Sequence, residues 1–203
     1  MRASRGAASQ AIARAVAAAQ WVALVTVLGG CVPAALERAG PPVAQPPALT
    51  AFEVDGRLSM RHGSDALAAS FRWRHADERD ELEFASPLGQ TIAVLSGDSS
   101  QVRLQAADGR VSAAGDWGTL TEQGLGWPLP VQGLSFWIQG SSRPGAPFTL
   151  EPGEDGRVAV LRQDGWTIVY QAYAPTADST WRPSRLVLTY PDVELRIAID
   201  GWQ

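Results

Sequence analysis

From Phe52 onward the sequence consists of short runs in which apolar and polar residues alternate, and Gly, Asp, Ser or Pro interrupts them about every ten residues. This pattern is typical of antiparallel β-strands, because successive side chains of a strand point to opposite faces of the sheet. The run Phe52–Met60 alternates throughout, and in Ala69–Arg74 aromatic residues alternate with arginines. The pattern predicts a mostly β domain.

About eleven strands are expected. They cover Phe52–Met60, Ala69–Arg74, a segment around Leu82 and Phe84, Thr91–Ser96, Gln101–Ala106, Arg110–Ala113, Phe148–Leu150, Arg157–Arg162, Trp166–Tyr173, Arg185–Tyr190 and Val193–Trp202. A single antiparallel sheet of that many strands must curl or close in order to cover its inner face.

The β pattern is interrupted between Gly115 and Gly140. Trp117, Leu120 and Leu125 have the spacing of one helix face, and Leu134, Trp137 and Ile138 have the i, i+3, i+4 spacing of another. The sequence therefore predicts two or three short helices, inserted as a lid over the opening of the sheet.

The first 30 residues have the layout of a secretory signal, with basic residues up to Arg14 and an uncharged apolar run up to Gly30. The run ends in Leu28-Gly29-Gly30-Cys31, which resembles the lipobox of bacterial lipoproteins. We therefore expect cleavage after residue 30 and lipidation of Cys31. An ordinary cleaved signal or a membrane anchor is the alternative, although about 16 apolar residues are fewer than the roughly 20 that span a bilayer.

Residues 31–50 are rich in Pro and Ala and are expected to form an extended tether, followed by one domain at 51–203. Residue 32 is Val, not the Asp that resembles an inner-membrane retention signal. The outer membrane, with the domain facing the periplasm, is therefore the expected location.

Charge and motif content argue against several classes of function. Removal of residues 1–30 leaves 14 Arg against 21 acidic residues, a net charge of −7, which argues against nucleic-acid binding. The chain has no Lys, no G-x-S-x-G motif and one Cys, and neither its two histidines nor its carboxylate pairs have the spacing of a catalytic or metal site. We expect His62 and His75 to be solvated, and we expect no enzyme activity, metal or cofactor.

Seven segments in order resemble the LolB family of outer-membrane lipoprotein receptors, over about residues 50–202. They are Gly56-Arg57-Leu58, Phe71-Arg72-Trp73, Ser86–Gly89, Leu125–Val131, Trp137–Gly140, Gln163–Tyr170 and the final Trp202. The resemblance implies an incomplete antiparallel barrel with helices across its mouth. It also implies a monomeric receptor that takes lipoproteins from the periplasmic carrier LolA, holds their acyl chains in an apolar cavity and inserts them into the outer membrane.

The resemblance also implies a membrane-insertion loop at Pro87, Leu88 and Gly89, where Leu88 projects as an exposed apolar residue. A turn at Pro-Leu-Gly agrees with this position, but Leu88 could equally fold back onto the sheet.

The expected lining of the acyl-chain cavity consists of inward-facing apolar residues. They are Phe71, Trp73, Phe84, Val94, Leu104, Trp117, Leu134, Trp137, Ile138, Trp166, Ile168, Leu188, Leu195 and Ile197. The alternative for each is an ordinary place in a filled core. A structural envelope lipoprotein without transfer activity and a hydrolase of envelope lipids remain the alternative functions.

Overall fold

The computed structural model describes residues 43–126 and 128–203, and Cys31 and the expected signal peptide lie outside this part of the chain. The described part contains eleven strands and two helices. They are β1 (Ala51–His62), β2 (Asp65–Ala76), β3 (Arg79–Ala85), β4 (Thr91–Gly97), β5 (Val102–Ala106), β6 (Val111–Ala114), α1 (Trp117–Leu125), α2 (Val131–Trp137), β7 (Phe148–Pro152), β8 (Val158–Gln163), β9 (Trp166–Pro175), β10 (Trp181–Tyr190) and β11 (Val193–Trp202).

All eleven strands form one antiparallel sheet in the order β6-β5-β4-β3-β2-β1-β11-β10-β9-β8-β7. The two halves of the chain are each a series of hairpins, and they join where β1 pairs with β11. Within the described residues β6 and β7 have one sheet neighbour each, so the sheet is curled but not closed. The expected mostly β fold with an incomplete barrel is confirmed.

The junction of β1 and β11 contains a bulge between Asp55 and Gly56. A Cβ atom at Gly56 would lie 2.2 Å from the carbonyl oxygen of Ala198 in β11. Only glycine allows so close an approach, and bulges of this kind increase the local twist that a curled sheet needs.

The outer face of the sheet is polar and carries cross-strand ion pairs. Arg57 Nη2 lies 2.9 Å from Asp200 Oδ1, and Arg74 Nη2 lies 3.4 Å from Glu53 Oε2. Both arginines are more than half exposed, so the ion pairs contribute little to stability. The charged side chains mark the face of the sheet that is turned towards water.

The two predicted helices are present, and both cover the inner face of the sheet. Asp116 caps α1 by accepting a hydrogen bond from Thr119 N, and the helix ends at Gly126 in the left-handed conformation. Among the described residues, neither helix has the length and apolar character required to cross a bilayer.

Val43–Thr50, placed by the sequence within an extended tether, lies against the domain. Ala44 forms a parallel bridge with Arg157. The packed part of the chain therefore starts before residue 51.

Candidate functional site

The inner face of the sheet and the helices above it enclose a continuous apolar core. Of the fourteen residues predicted to line a cavity, thirteen are at most 7% exposed. They fall into three groups: seven beside a small internal gap, three tryptophans beside a surface groove, and Leu104, Ile168 and Leu188 elsewhere in the core.

Val94 is the exception, and its predicted inward orientation is wrong. Val94 is only partly buried and pairs with Glu83 of β3, whose side chain belongs to the outer face. Ala93 and Leu95 point inward instead, at 4% and 0% exposure. The run Ile92–Leu95 is apolar throughout, so its sequence could not indicate which residues face the core.

The interior contains a gap of only about 20 Å³, with no polar surface. Its walls come from β1, β2, β3 and β11, and from α2 with the connection before it. The lining residues are Leu58, Phe71, Trp73, Leu82, Phe84, Leu129, Leu134, Ile138, Leu195 and Ile197. A gap of this size holds about one water-sized molecule, whereas pockets for drug-sized ligands measure about 300–1,000 Å³. Among the described residues, this internal gap is therefore much smaller than the acyl-chain cavity that was expected.

Three residues of this gap were not among the predicted lining. Leu58 and Leu82 belong to alternating strands, so their sequence pattern could have identified them. Leu129 lies between two prolines in the connection from α1 to α2, and no periodic signal marks it as buried, although it is 2% exposed.

The C-terminal end of α2 is fixed to β8 and β9 by buried hydrogen bonds. Trp137 donates from Nε1 to Gln163 Oε1 at 2.8 Å, and Tyr170 donates its hydroxyl to the Trp137 carbonyl at 2.9 Å. Burial raises the pKa of Tyr170 well above its ordinary value, so the hydroxyl keeps the proton that it donates. This end of α2 is held by directional contacts.

In contrast, α1 contacts the sheet through apolar side chains. Trp117 and Leu120 are 3% and 0% exposed, and α1 packs against β5 and β6. Thr121 bonds only within the helical region: its hydroxyl donates to Trp117 O and accepts from Leu129 N. Among the side chains described for α1, none forms a hydrogen bond with the sheet.

A surface groove of about 400 Å³ lies between the first residues of α1 and α2 and the β8–β9 turn. Trp117, Trp137 and Trp166 contribute apolar surface to it. Arg143 and Asp164 form an ion pair at its edge, with 2.9 Å between Nη2 and Oδ2. The groove therefore combines an apolar wall with a charged rim.

The loop between β3 and β4 leaves Leu88 exposed at 89%. Ser86 shapes this loop: its hydroxyl accepts hydrogen bonds from Leu88 N at 3.3 Å and Gln90 N at 3.2 Å. Leu88 does not fold back onto the sheet. By strand direction, this loop lies at the same end of the sheet as the β8–β9 turn next to the groove.

His75 differs from the expectation of a solvated residue. Its side chain is 14% exposed and stacks against Phe52, with ring centroids 5.1 Å apart. Its Nδ1 lies 2.7 Å from Asp80 Oδ1, which also accepts from Trp73 Nε1 at 2.7 Å. Because the three polar groups satisfy one another around a buried carboxylate, the arrangement is typical of a structural contact. Among the described residues, no cluster of His, Cys, Asp or Glu has the arrangement of a metal site.

Residues 50–202 match the family model described as Outer membrane lipoprotein LolB. Two curated proteins named Outer-membrane lipoprotein LolB are similar over most of the chain. The one from Thiobacillus denitrificans is 38% identical over 89% of this chain and 94% of its own length, and the one from Chromobacterium violaceum is 36% identical over 90% and 96%. Among solved structures, a LolA superfamily protein from Nitrosomonas europaea aligns with a TM-score of 0.48 and 6% identity over 78% of this chain and 87% of its own.

Proposed function

Because this chain belongs to the LolB family, we propose that it acts in lipoprotein localisation as a receptor anchored in the outer membrane through lipid on Cys31. It accepts lipoproteins from the periplasmic carrier LolA, holds their acyl chains against the apolar inner face of its sheet, and inserts them into the inner leaflet of the outer membrane.

The observation that carries this proposal is the way in which α1 covers the sheet. Its described contacts with the sheet are apolar, whereas α2 is tied to β8 and β9 through Trp137. An acyl chain can replace apolar contacts without leaving a buried polar group unpaired. We therefore propose that α1 moves away from the sheet, while α2 stays against the sheet as long as its C-terminal end is held.

In the closed conformation the gap of about 20 Å³ is too small for an acyl chain, so binding requires this movement. The groove beside Trp117, Trp137 and Trp166 adjoins the first residues of both helices and is the proposed entrance. The small gap then represents the unloaded state, in which α1 occupies the place of the cargo.

Transfer needs no catalytic group or nucleotide in this scheme. Exposure of an acyl chain to water costs about 0.8 kcal/mol per methylene, so a chain that moves between apolar sites avoids this cost at each step. The direction then depends on the relative affinities of carrier, receptor and bilayer. Leu88, at the exposed tip of its loop, is the proposed contact with the membrane.

A fluorescent fatty-acid analogue tests the acyl-binding step. We expect the chain to bind this probe, and an acylated peptide to displace it in competition. The matched control is the same peptide without its acyl chain, which should leave the probe bound. A chain that binds no probe would favour the alternative of a structural envelope lipoprotein, while ester hydrolysis abolished by one Ser substitution would identify a hydrolase.

A further inference from the structure

Residues 43–50, here called the strap, lie along the residues that directly follow α2. Ser141 Oγ donates a hydrogen bond to the Pro46 carbonyl at 2.7 Å, and Ser142 N donates to Gln45 Oε1 at 2.7 Å. A Cβ atom at Gly140 would lie 3.4 Å from Pro46 Cγ, so the two chain segments are in close contact.

Gln139 joins the strap to the helix itself. This side chain is 1% exposed. Its Oε1 accepts from Leu49 N at 2.7 Å, while its Nε2 lies 3.3 Å from the Leu49 carbonyl and 2.8 Å from the carbonyl of Ser135 in α2. One buried amide therefore bonds both to the strap and to a backbone group of α2.

Arg182 of β10 is a second buried side chain that bonds to the strap. Its residue surface is 3% exposed, and its guanidinium donates to Gln139 Oε1 at 3.2 Å and to the Pro47 carbonyl at 3.3 Å. None of the ion pairs among the described residues includes Arg182, and both of its described hydrogen-bond acceptors are neutral groups. Because a buried charge without acceptors is costly, loss of the strap would destabilise this cluster.

The strap lies close in sequence to Cys31, the expected site of lipidation. Only 11 residues, 32–42, separate it from Cys31. Even fully extended, that segment reaches no more than about 40 Å. A change in the position of the domain relative to its lipid anchor therefore acts first on the strap.

We propose that the strap couples the membrane anchor to the lid: when docked it holds the C-terminal end of α2, and its release loosens α2 and eases opening of the interior. This regulatory role rests on the proposed function, since opening matters only if the interior receives acyl chains. The strap is then the element through which membrane attachment controls cargo binding.

Hydrogen exchange in the whole chain carrying Cys31→Ala tests the coupling. In one variant residues 43–50 are replaced by alternating Gly and Ser, and in its control residues 33–40 are replaced in the same way. A second pair compares Gln139→Leu with Gln132→Leu, which alters an exposed Gln of α2. We expect the amides of residues 134–142 to exchange at least about tenfold faster in the strap variant and in Gln139→Leu, with both controls unchanged.

Amides in the centre of β1 and β11 should keep their exchange rates, which separates local loosening from unfolding of the whole domain. The fatty-acid probe should bind several-fold more tightly to the two loosened variants, because a larger fraction of molecules is open. Unchanged exchange at residues 134–142 would overturn the coupling, and so would faster exchange with equal probe affinity. Absence of probe binding in every variant would overturn the proposed function, and the exchange rates would still decide whether the strap holds α2.

Discussion

Leu88 is an exposed apolar residue on which the shape of its own loop does not depend. Its side chain is 89% exposed at the tip of the β3–β4 loop, and the loop keeps its shape through hydrogen bonds to Ser86. Folding therefore does not depend on Leu88 being apolar. This exposure is the observation behind the proposed contact of Leu88 with the membrane.

We predict that Leu88→Glu leaves the free energy of unfolding within about 0.5 kcal/mol of the parent chain, because the substituted atoms are in water. Acceptance of lipoprotein from the carrier should also be retained. Delivery into outer-membrane vesicles should fall strongly, because a charge is costly within the bilayer. The assay compares membrane-bound cargo with Val169→Glu, which places the same charge on an exposed valine of β9. Normal delivery by Leu88→Glu would show that the loop is incidental.

Two residues have positions that differ from the expectation drawn from the sequence. Val94 lies in a run of four apolar residues, and only its pairing with Glu83 places it on the outer face. His75 lies near the end of β2, between Arg74 and a charged turn, yet Asp80 and Phe52 contact it. Alternation within its own segment could not place Val94, whereas alternation in β2 puts His75 on the same face as Phe71 and Trp73 and could have predicted its burial.

Among the elements, α2 is determined by its contacts more than by helix propensity. It has only seven residues, and it has no side-chain cap at its N-terminus. Helices of this length are marginal in isolation. Buried contacts of Leu134 and Trp137 with the sheet therefore stabilise it, and the hydrogen bond from Trp137 to Gln163 fixes its end.

We predict that Gly133→Ala destabilises the domain by about 1–3 kcal/mol, although alanine is the better helix former by about 1 kcal/mol. A Cβ atom at residue 133 would lie 2.5 Å from the Trp137 ring, and the ring cannot shift without straining its bond to Gln163. Urea denaturation measures the change. Gln132→Ala, on the exposed side of the same helix, should remain within about 0.5 kcal/mol of the parent. Equal stability of the two variants would show that the ring can move freely.

At the scale of the whole molecule, binding and anchoring are expected to be separable. The apolar interior is formed by the described residues, while Cys31 lies outside them. We predict that a Cys31→Ala chain, exported by an unlipidated signal, still binds acylated lipoprotein, because the interior supplies the binding surface. Co-purification of cargo from the periplasm measures this, with the lipidated chain as control. Complete loss of cargo would contradict the separation.

Acid should destabilise the molecule through the carboxylates that form its turns. The hydroxyl of Ser100, with backbone N–H groups of Ser100 and Gln101, lowers the pKa of Asp98 to about 2. Backbone and side-chain hydrogen bonds likewise lower the pKa values of Asp108, Asp116, Asp155 and Asp178. A lowered pKa means that the folded state favours the charged form, so this stabilisation is present above about pH 4 and is lost as the pH falls towards 2.

We therefore predict a constant urea midpoint between about pH 7 and pH 5 and a falling midpoint below about pH 4. Asp98→Asn, which cannot titrate at this position, should show a smaller fall than the parent chain. A midpoint that rises on acidification would contradict the assignment.

The sequence alone determined the class of fold and most of its core. Period-two alternation predicts the strands and most of their inward residues, and the helical spacing of apolar residues predicts both helices, because these signals come from local backbone geometry. Only the tertiary structure decided the state of the interior. Whether the sheet encloses an open cavity or a gap of about 20 Å³ depends on how residues distant in sequence, such as Leu129 and Ile197, pack together. The docking of the strap was also decided by the tertiary structure. Its Pro and Ala residues indicate only an extended chain, whereas its hydrogen-bond partners, the buried Gln139 and Arg182, come from distant parts of the sequence.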